Sequence, residues 1–594
     1  MVINARPAWG SDAMAGVLGQ AGIEFISLNP GSSYRGLHDS IVNGPDEARP
    51  QIALCLHEEH AVAIAHGWAK VTGRPMAVAV HSNVGLMHAS MALYNAFCDR
   101  VPMVVIGATG PWAADRRRPW IDWIHTTADM GALVRPFVKW DDQPGSVPAA
   151  VDSLIRANAV TRAYPSAPVY VCLDVSLQEE EVPAQERYPG VARHRPPALP
   201  APEPGSVTEA AALLAGARRP LILCGRVGGA DGAWKARVQL AERLGARVIT
   251  SLKTRAGFPT DHPLHVATPG RGLEDEPAAT LRQADVVLAL DWIDVGGTLR
   301  QAYGHDEVAA QVISCSADSL LHNGWSKDHF ELSPVDCPIF AHPDLLVSAL
   351  LDSLPGSLPD SWPGETLPPK PARPAAVTDR TEAMSLQALS AALYGALGDR
   401  SVSFTHLATG WPVSGWHFRH PLDFLGGDGG GGVGAGPGIA VGAALALRDS
   451  GRLPVAILGD GDYLMGGTAL WTAANLGLPM LIVVANNGTY LNDELHQERM
   501  AAARGRPVEN AWVGQRIDEP RPDLGEFARS LGLSGFGPVE RVSDLPKFLA
   551  EAVEAAESGP AVVDVRVPID HNRGGGHERW RPAARATAAR EASG

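Results

Sequence analysis

Short apolar runs recur along the chain at 24–28, 52–56, 76–80, 102–107 and 168–174. They continue at 220–224, 246–250, 285–290 and 311–315, and again at 454–458, 480–485 and 561–567. Most are continuous rather than alternating in polarity, the pattern of strands covered on both faces. Helix-like segments lie between them, so the pattern predicts repeated βα units. Two proline-rich stretches, around 196–204 and 355–374, carry little periodicity and read as linkers. The fold class expected is therefore α/β, with three doubly wound parallel-sheet domains at 1–190, 205–352 and 376–570. A tail at 571–594, rich in Arg, Ala and Gly, follows them.

Length alone, 594 residues, suggests about four units at ~150 residues each, and the apolar pattern reduces this to three. With 45% apolar and 19% charged residues the chain has ample core material. Its 50 basic against 65 acidic residues give −15, which leaves no overall positive field to gather nucleic acid or anionic lipid. Six cysteines, at 55, 98, 172, 224, 315 and 337, form no C-x-x-C pair and read as thiols in a reducing compartment. With no leader-like N-terminus and no strongly apolar 18-residue span, a cytoplasmic protein without membrane partners is expected.

Glycine changes the picture. Of 63 glycines, 10 fall within residues 426–442, where even spreading would place about two. So bare a loop lets main-chain groups touch a ligand, and it leads into an apolar helix at Ile439–Leu447 whose N-terminus favours an anion. A flexible linker is the alternative reading. Strand 454–458 then ends in Gly459-Asp460-Gly461-Asp462, and strand 480–485 in Asn486-Asn487-Gly488-Thr489. Carboxyl ends of parallel strands are where α/β sheets bind ligands. The Asp460 carboxylate, the Asn487 amide oxygen and the Thr489 carbonyl form an all-oxygen set suited to Mg²⁺ beside a bound phosphate.

With these motifs the chain resembles the thiamine-diphosphate enzymes, whose cofactor signature is Gly-Asp-Gly, some 25 residues, then Asn-Asn. The likeness is greatest to benzoylformate decarboxylase and acetolactate-synthase-like enzymes. It rests also on Asn29-Pro30-Gly31-Ser32, His81-Ser82, Ala469-Leu470-Trp471-Thr472-Ala473-Ala474 and Asn486-Asn487-Gly488-Thr489-Tyr490. The resemblance implies thiamine diphosphate with Mg²⁺ as cofactors, the ion on Asp460, Asn487 and the Thr489 carbonyl. Gly461 and Asp462 would lie beside the diphosphate, Val433 would bend the cofactor, and the Gly431 carbonyl would accept from its amino group.

Such chemistry needs a carboxyl on the cofactor's pyrimidine nitrogen, placed where a strand gives way to a helix among apolar neighbours. Glu58 and Glu59 compete, and the family spacing to Gly67-Trp68-Ala69 selects Glu58. His57-Glu58-Glu59-His60 is not a zinc-protease motif, because one residue rather than two separates Glu from the second His. By the same resemblance His81 moves protons at the substrate, Ser32 orients it, and Glu494 acts as an acid/base in the manner of 2-hydroxyacyl-CoA lyases. The alternatives are a locally satisfied His81, Ser32 as a turn residue, and Glu494 on a solvated charged helix. His88, His125 and His406 carry no assignment.

Two departures separate the chain from its nearest likenesses. No histidine stands in Asp291–Gly297, where benzoylformate decarboxylase supplies one, and His81-Ser82-Asn83-Val84-Gly85 replaces the Thr-Ser-Gly-Pro-Gly of acetolactate synthases. In the middle unit Arg226, Lys253, Arg255 and Arg271 are candidate phosphate contacts for FAD or a CoA/ADP group, with ordinary surface arginines as the alternative. The leading expectation is decarboxylation of a 2-oxo acid, with or without carboligation to an acceptor carbonyl. Cleavage of a 2-hydroxyacyl-CoA and a non-catalytic cofactor-binding scaffold are the alternatives. The resemblance implies at least a homodimer, and a homotetramer is expected.

Overall fold

The computed structural model describes residues 7–44, 49–183, 185–270, 272–318, 333–375 and 384–570. Arg271 and the 571–594 tail lie outside these. Three sheets, parallel throughout, follow one another along the chain. The first comprises β1 (Phe25–Leu28), β2 (Gln51–Leu54), β3 (Met76–Ala79), β4 (Met103–Thr109), β5 (Trp140–Asp142) and β6 (Pro168–Asp174), in the order β2-β1-β3-β4-β6-β5. The second has β7 (Pro220–Cys224), β8 (Arg247–Ile249), β9 (His265–Ala267), β10 (Val286–Leu290), β11 (Gln311–Cys315) and β12 (Cys337–Ile339), ordered β12-β11-β10-β7-β8-β9. The third has β13 (Val402–His406), β14 (Leu453–Gly459), β15 (Met480–Asn486), β16 (Ser534–Val539) and β17 (Pro560–Arg566), ordered β13-β14-β15-β17-β16.

Alternate residues of the interior strands feed two separate cores, as expected of sheets covered on both faces. In β4, Val104 and Ile106 join one cluster while Met103 and Val105 join the other. The second of these clusters is shared with the third sheet, through Ile482 and Val484 of β15 and through helix Ala435–Leu447. That helix packs on helix Glu58–Thr72 with main chains almost touching. A Cβ on Gly442 would overlap the Ile64 carbonyl, and one on Gly438 would lie 2.6 Å from the Ala63 Cβ.

The proline-rich stretches are ordered. Pro204 begins helix Pro204–Gly216, so the first connection stops a residue short of its expected end: proline at the first helical position gives up only a donor that has no partner there. In the second, Trp362 is buried against the middle sheet, donating Nε1–H to the Pro220 carbonyl at 3.0 Å with the Arg247 guanidinium over its ring at 3.8 Å. Among the described residues no helix is long and apolar enough to cross a membrane.

Candidate active site

Glu58 is the first residue of helix Glu58–Thr72, following β2 by three residues. His57 caps the helix in extended conformation, its Nδ1 accepting from the Glu59 N–H at 3.2 Å. The Glu58 carboxylate is buried. Its cover is helix Ser82–Cys98: Gly85 leaves room for Oε1, since a Cβ there would lie 2.9 Å away, and His88 Nδ1 sits 3.0 Å from Oε2. Glu59 is half-buried, and burial raises its carboxyl above the usual range.

His81 caps helix Ser82–Cys98 from the end of β3. Its Nδ1 is 2.9 Å from the Ser33 hydroxyl, and its ring meets His125 edge-on at 4.7 Å. Burial lowers its basicity, the neighbouring His125 lowers it further, and Glu58 opposes both. Ser32 is exposed and lines an open depression of about 530 Å³ with Pro30, Gly31, Arg35 and His38. The hydroxyl on His81 is thus one residue later than the serine that the motif suggested, because the short 3₁₀ turn Ser32–Tyr34 rotates Ser33 inward.

In the third domain Asp460 opens helix Asp460–Gly466 at the end of β14. Its carboxylate is buried and accepts from the main-chain N–H of Gly461, at 2.9 Å, and of Gly488. Burial outweighs these bonds and pushes it up to about 6, a carboxylate short of positive charge. Asn486 is consumed structurally, donating to Asp564 at 2.9 Å, whereas Asn487 Oδ1 holds the Thr489 N–H at 3.1 Å. On either side of Thr489, the Gly488 carbonyl accepts from Ile517 and the Tyr490 N–H donates to Gln515, which leaves the Thr489 carbonyl outside that pairing. A buried carboxylate, an amide oxygen and this carbonyl at adjoining strand ends fit an oxygen-seeking divalent cation.

Two expectations change. Asp462 faces the glycine loop: its Oδ1 accepts from Gly434 at 2.6 Å and Gly436 at 3.4 Å, while the buried Oδ2 takes no hydrogen bond and lies 4.0 Å from His406 Nε2. The N-terminus of helix Ala435–Leu447, expected to await a ligand anion, is therefore met by the chain's own carboxylate. Glu494 is almost fully buried rather than solvated, taking 2.8 Å from the Thr489 hydroxyl and 3.1 Å from Arg516. The helix around it, Leu491–Ala503, is otherwise largely exposed, so the polar pattern hid one buried acid.

The glycine loop serves packing as well as a ligand. Gly429, Gly430 and Gly432 lie against Tyr94, Asn95, Met91 and Asp99, with the Gly432 N–H 3.4 Å from Asn95 Oδ1. Gly431, at φ +74°, has open space where a Cβ would be, and Val433 beside it is 46% exposed. Among the described residues no hydrogen bond or ion pair joins Glu58 to Asp460, Asn487 or Thr489 within one chain. In the middle domain Arg226 is spent on Asp291 and Asp318, at 3.2 and 3.1 Å, and is not a phosphate contact. Lys253 is exposed, and Arg255 has a buried Nε without an acceptor, its basicity pulled down to about 10 by burial.

Ser33 is the residue that sequence reasoning missed, and His88, left there without a role, is the one it could have placed. His88 follows His81 by seven positions, two helical turns, which was the available signal.

Three family profiles match the chain: the N-terminal TPP binding domain of thiamine pyrophosphate enzymes over 8–129, their central domain over 207–347 and their C-terminal TPP binding domain over 407–565. Benzoylformate decarboxylase of Pseudomonas aeruginosa is 27% identical over 80% of this chain and 85% of its own. A probable 2-ketoarginine decarboxylase of the same organism is 27% identical over 94% and 92%. Acetolactate synthase of Mycobacterium bovis is 25% identical over 94% and 88%. Among solved structures, a thiamine diphosphate-dependent 4-hydroxybenzoylformate decarboxylase of Rhodococcus jostii superposes with a TM-score of 0.77 at 24% identity, covering 95% of this chain and 100% of that one.

Proposed function

The chain belongs to the thiamine pyrophosphate enzyme family, and from that premise we propose that it decarboxylates a 2-oxo acid with thiamine diphosphate and Mg²⁺, with or without ligating the remaining fragment to an acceptor carbonyl. It is an enzyme related, at low identity, to 2-oxo acid decarboxylases and acetolactate synthases. The observation that carries the reading is the buried Glu58 carboxylate at a helix start, with Gly85 keeping one oxygen clear of side-chain bulk.

When bound, thiamine diphosphate supplies a carbon nucleophile and accepts the electron pair released as the C–C bond breaks. Glu58 would hold a proton on the pyrimidine ring nitrogen, from a buried position at the start of its helix. Asp460, Asn487 and the Thr489 carbonyl would hold Mg²⁺, Gly461 would adjoin the diphosphate, and Gly431 and Val433 would border the ring system. His81, its basicity lowered by burial and by His125 and its Nδ1 2.9 Å from the Ser33 hydroxyl, is placed to move a proton near the substrate carboxylate. Glu494 has both oxygens engaged, so we assign it to clamping Thr489 rather than to proton transfer.

A second copy would complete the site, since Glu58 and Asp460 are unconnected within one chain. Val84, Met87, Met91 and Tyr94 form an exposed apolar row along the helix covering Glu58, suited to an interface of at least a homodimer.

Glu58→Gln is expected to lower turnover by about a hundredfold to ten-thousandfold, measured as CO₂ release across a panel of 2-oxo acids with excess cofactor. Turnover within about threefold of the parent would sink the assignment. Asp460→Asn should abolish Mg²⁺-dependent retention of thiamine diphosphate through gel filtration, and retention equal to the parent's would remove Asp460 from the metal set.

A further inference from the structure

Glu58 has a second set of neighbours that its proposed role does not use. One donor atom from each of His57, Glu58 and His88 lies within 4.8 Å of the other two, a grouping found among the described residues. His88 Nδ1 is 3.0 Å from Glu58 Oε2, and the His57 and His88 rings stack at 4.8 Å, 22° from parallel. Within one chain the Glu58 side chain is 7% exposed and that of His88 48%, so a buried anchor is paired with a more accessible donor. The histidine that follows Glu59 in sequence, His60, is not in the group. The second imidazole comes instead from helix Ser82–Cys98.

Two imidazoles and one carboxylate, with positions left for water, suit first-row transition ions and not Mg²⁺, which prefers oxygen alone. We propose that His57, Glu58 and His88 form a site for a borderline divalent ion such as Zn²⁺, distinct from the Mg²⁺ ligands. An ion there occupies the carboxylate that the pyrimidine nitrogen needs, so ion and thiamine diphosphate exclude one another. This second half rests on the role given to Glu58 above. Coupling of this kind is reciprocal: whatever factor the ion imposes on cofactor affinity, the cofactor imposes on the ion.

The test starts from full-length protein stripped of cofactor and metal. Equilibrium dialysis should find one Zn²⁺ per chain, and Co²⁺ should give visible bands of a nitrogen- and oxygen-ligated ion. His88→Gln and His57→Asn should each weaken ion binding at least about tenfold, while circular dichroism and thermal midpoint confirm that both variants fold. With Mg²⁺ in constant excess, one equivalent of Zn²⁺ should raise the thiamine diphosphate concentration for half-maximal tryptophan quenching at least about tenfold in the parent and little in His88→Gln. Zinc binding that neither variant weakens, or none below millimolar ion, overturns the site. Zinc held by these residues without any shift in cofactor binding overturns the exclusion and counts against Glu58 as the cofactor's partner. Loss of activity in Glu58→Gln tests that partner independently of any ion.

Discussion

His265 is buried in the middle domain, its Nε2 within 3.0 Å of the Thr250 hydroxyl and its Nδ1 without a partner. Burial holds its basicity down to about 3, far below the ~6.5 of an exposed imidazole. Between those values the unfolded chain takes up a proton that the folded chain refuses, so stability falls as pH drops below about 6.5, by about 1.4 kcal/mol per pH unit for one such group. His60 in the first domain, held down to about 4, adds to the same slope. Urea unfolding at several pH values should show His265→Gln reducing the slope between pH 6 and 4 by about one proton. An unchanged slope would mean that His265 is protonated in the folded protein. At this scale the positions of Glu58, Asp460 and Asn487 just beyond strand ends were legible, because each sits in a motif that closes an apolar run. Ser33 and the clamp between Glu494 and Arg516 were not, since they depend on how a 3₁₀ turn and the 512–517 segment fold back.

Five strands escaped the apolar pattern: β5, β9, β12, β13 and β16. Each is an edge of its sheet. An edge strand has a neighbour on one side only and needs fewer apolar residues, so sequences such as Trp140-Asp141-Asp142 or Cys337-Pro338-Ile339 carry no run to detect. Interior strands were read well, β6, β7 and β11 to the residue, because they are buried on both faces. Helices separate glycine by its surroundings. Gly442→Ala forces a methyl into the Ile64 carbonyl and should cost at least about 3 kcal/mol, or prevent folding. Gly395, within helix Leu386–Leu397, has open space at its would-be Cβ and is exposed, so Gly395→Ala should stabilise by about 0.5–1 kcal/mol. Thermal midpoints of the two variants moving in the same direction would contradict this contrast.

The first and second domains are joined through buried charge. Arg100 of the first pairs with Asp318 of the second, which also binds Arg226 at 3.1 Å, and Arg226 reaches Asp291. The arginines hold the Asp318 carboxyl down to about 2 against the pull of burial. Its contribution to stability is therefore complete above about pH 4 and is lost as pH falls from there through about 2. Arg100→Met leaves Asp318 with one cation and should cost toward the low end of about 3–5 kcal/mol in denaturant unfolding. The loss should shrink below pH 3, and a loss independent of pH would assign it to packing of the Arg100 stem. Lys70, bonded to Asp99 and at 2.7 Å to the Gly427 carbonyl, ties the first domain to the third in the same manner. These ties were invisible in sequence, where Arg226 read as a phosphate contact, because no periodicity records which loops of different domains meet.

The crossing of helices Glu58–Thr72 and Ala435–Leu447 also bears on how the gene can drift. Every missense change of a glycine codon installs at least a Cβ, and at Gly67, Gly438 and Gly442 that atom lands on the partner helix. These codons have no benign missense neighbour, so the crossing should stay fixed in descendants of this chain while the exposed surface around it diverges.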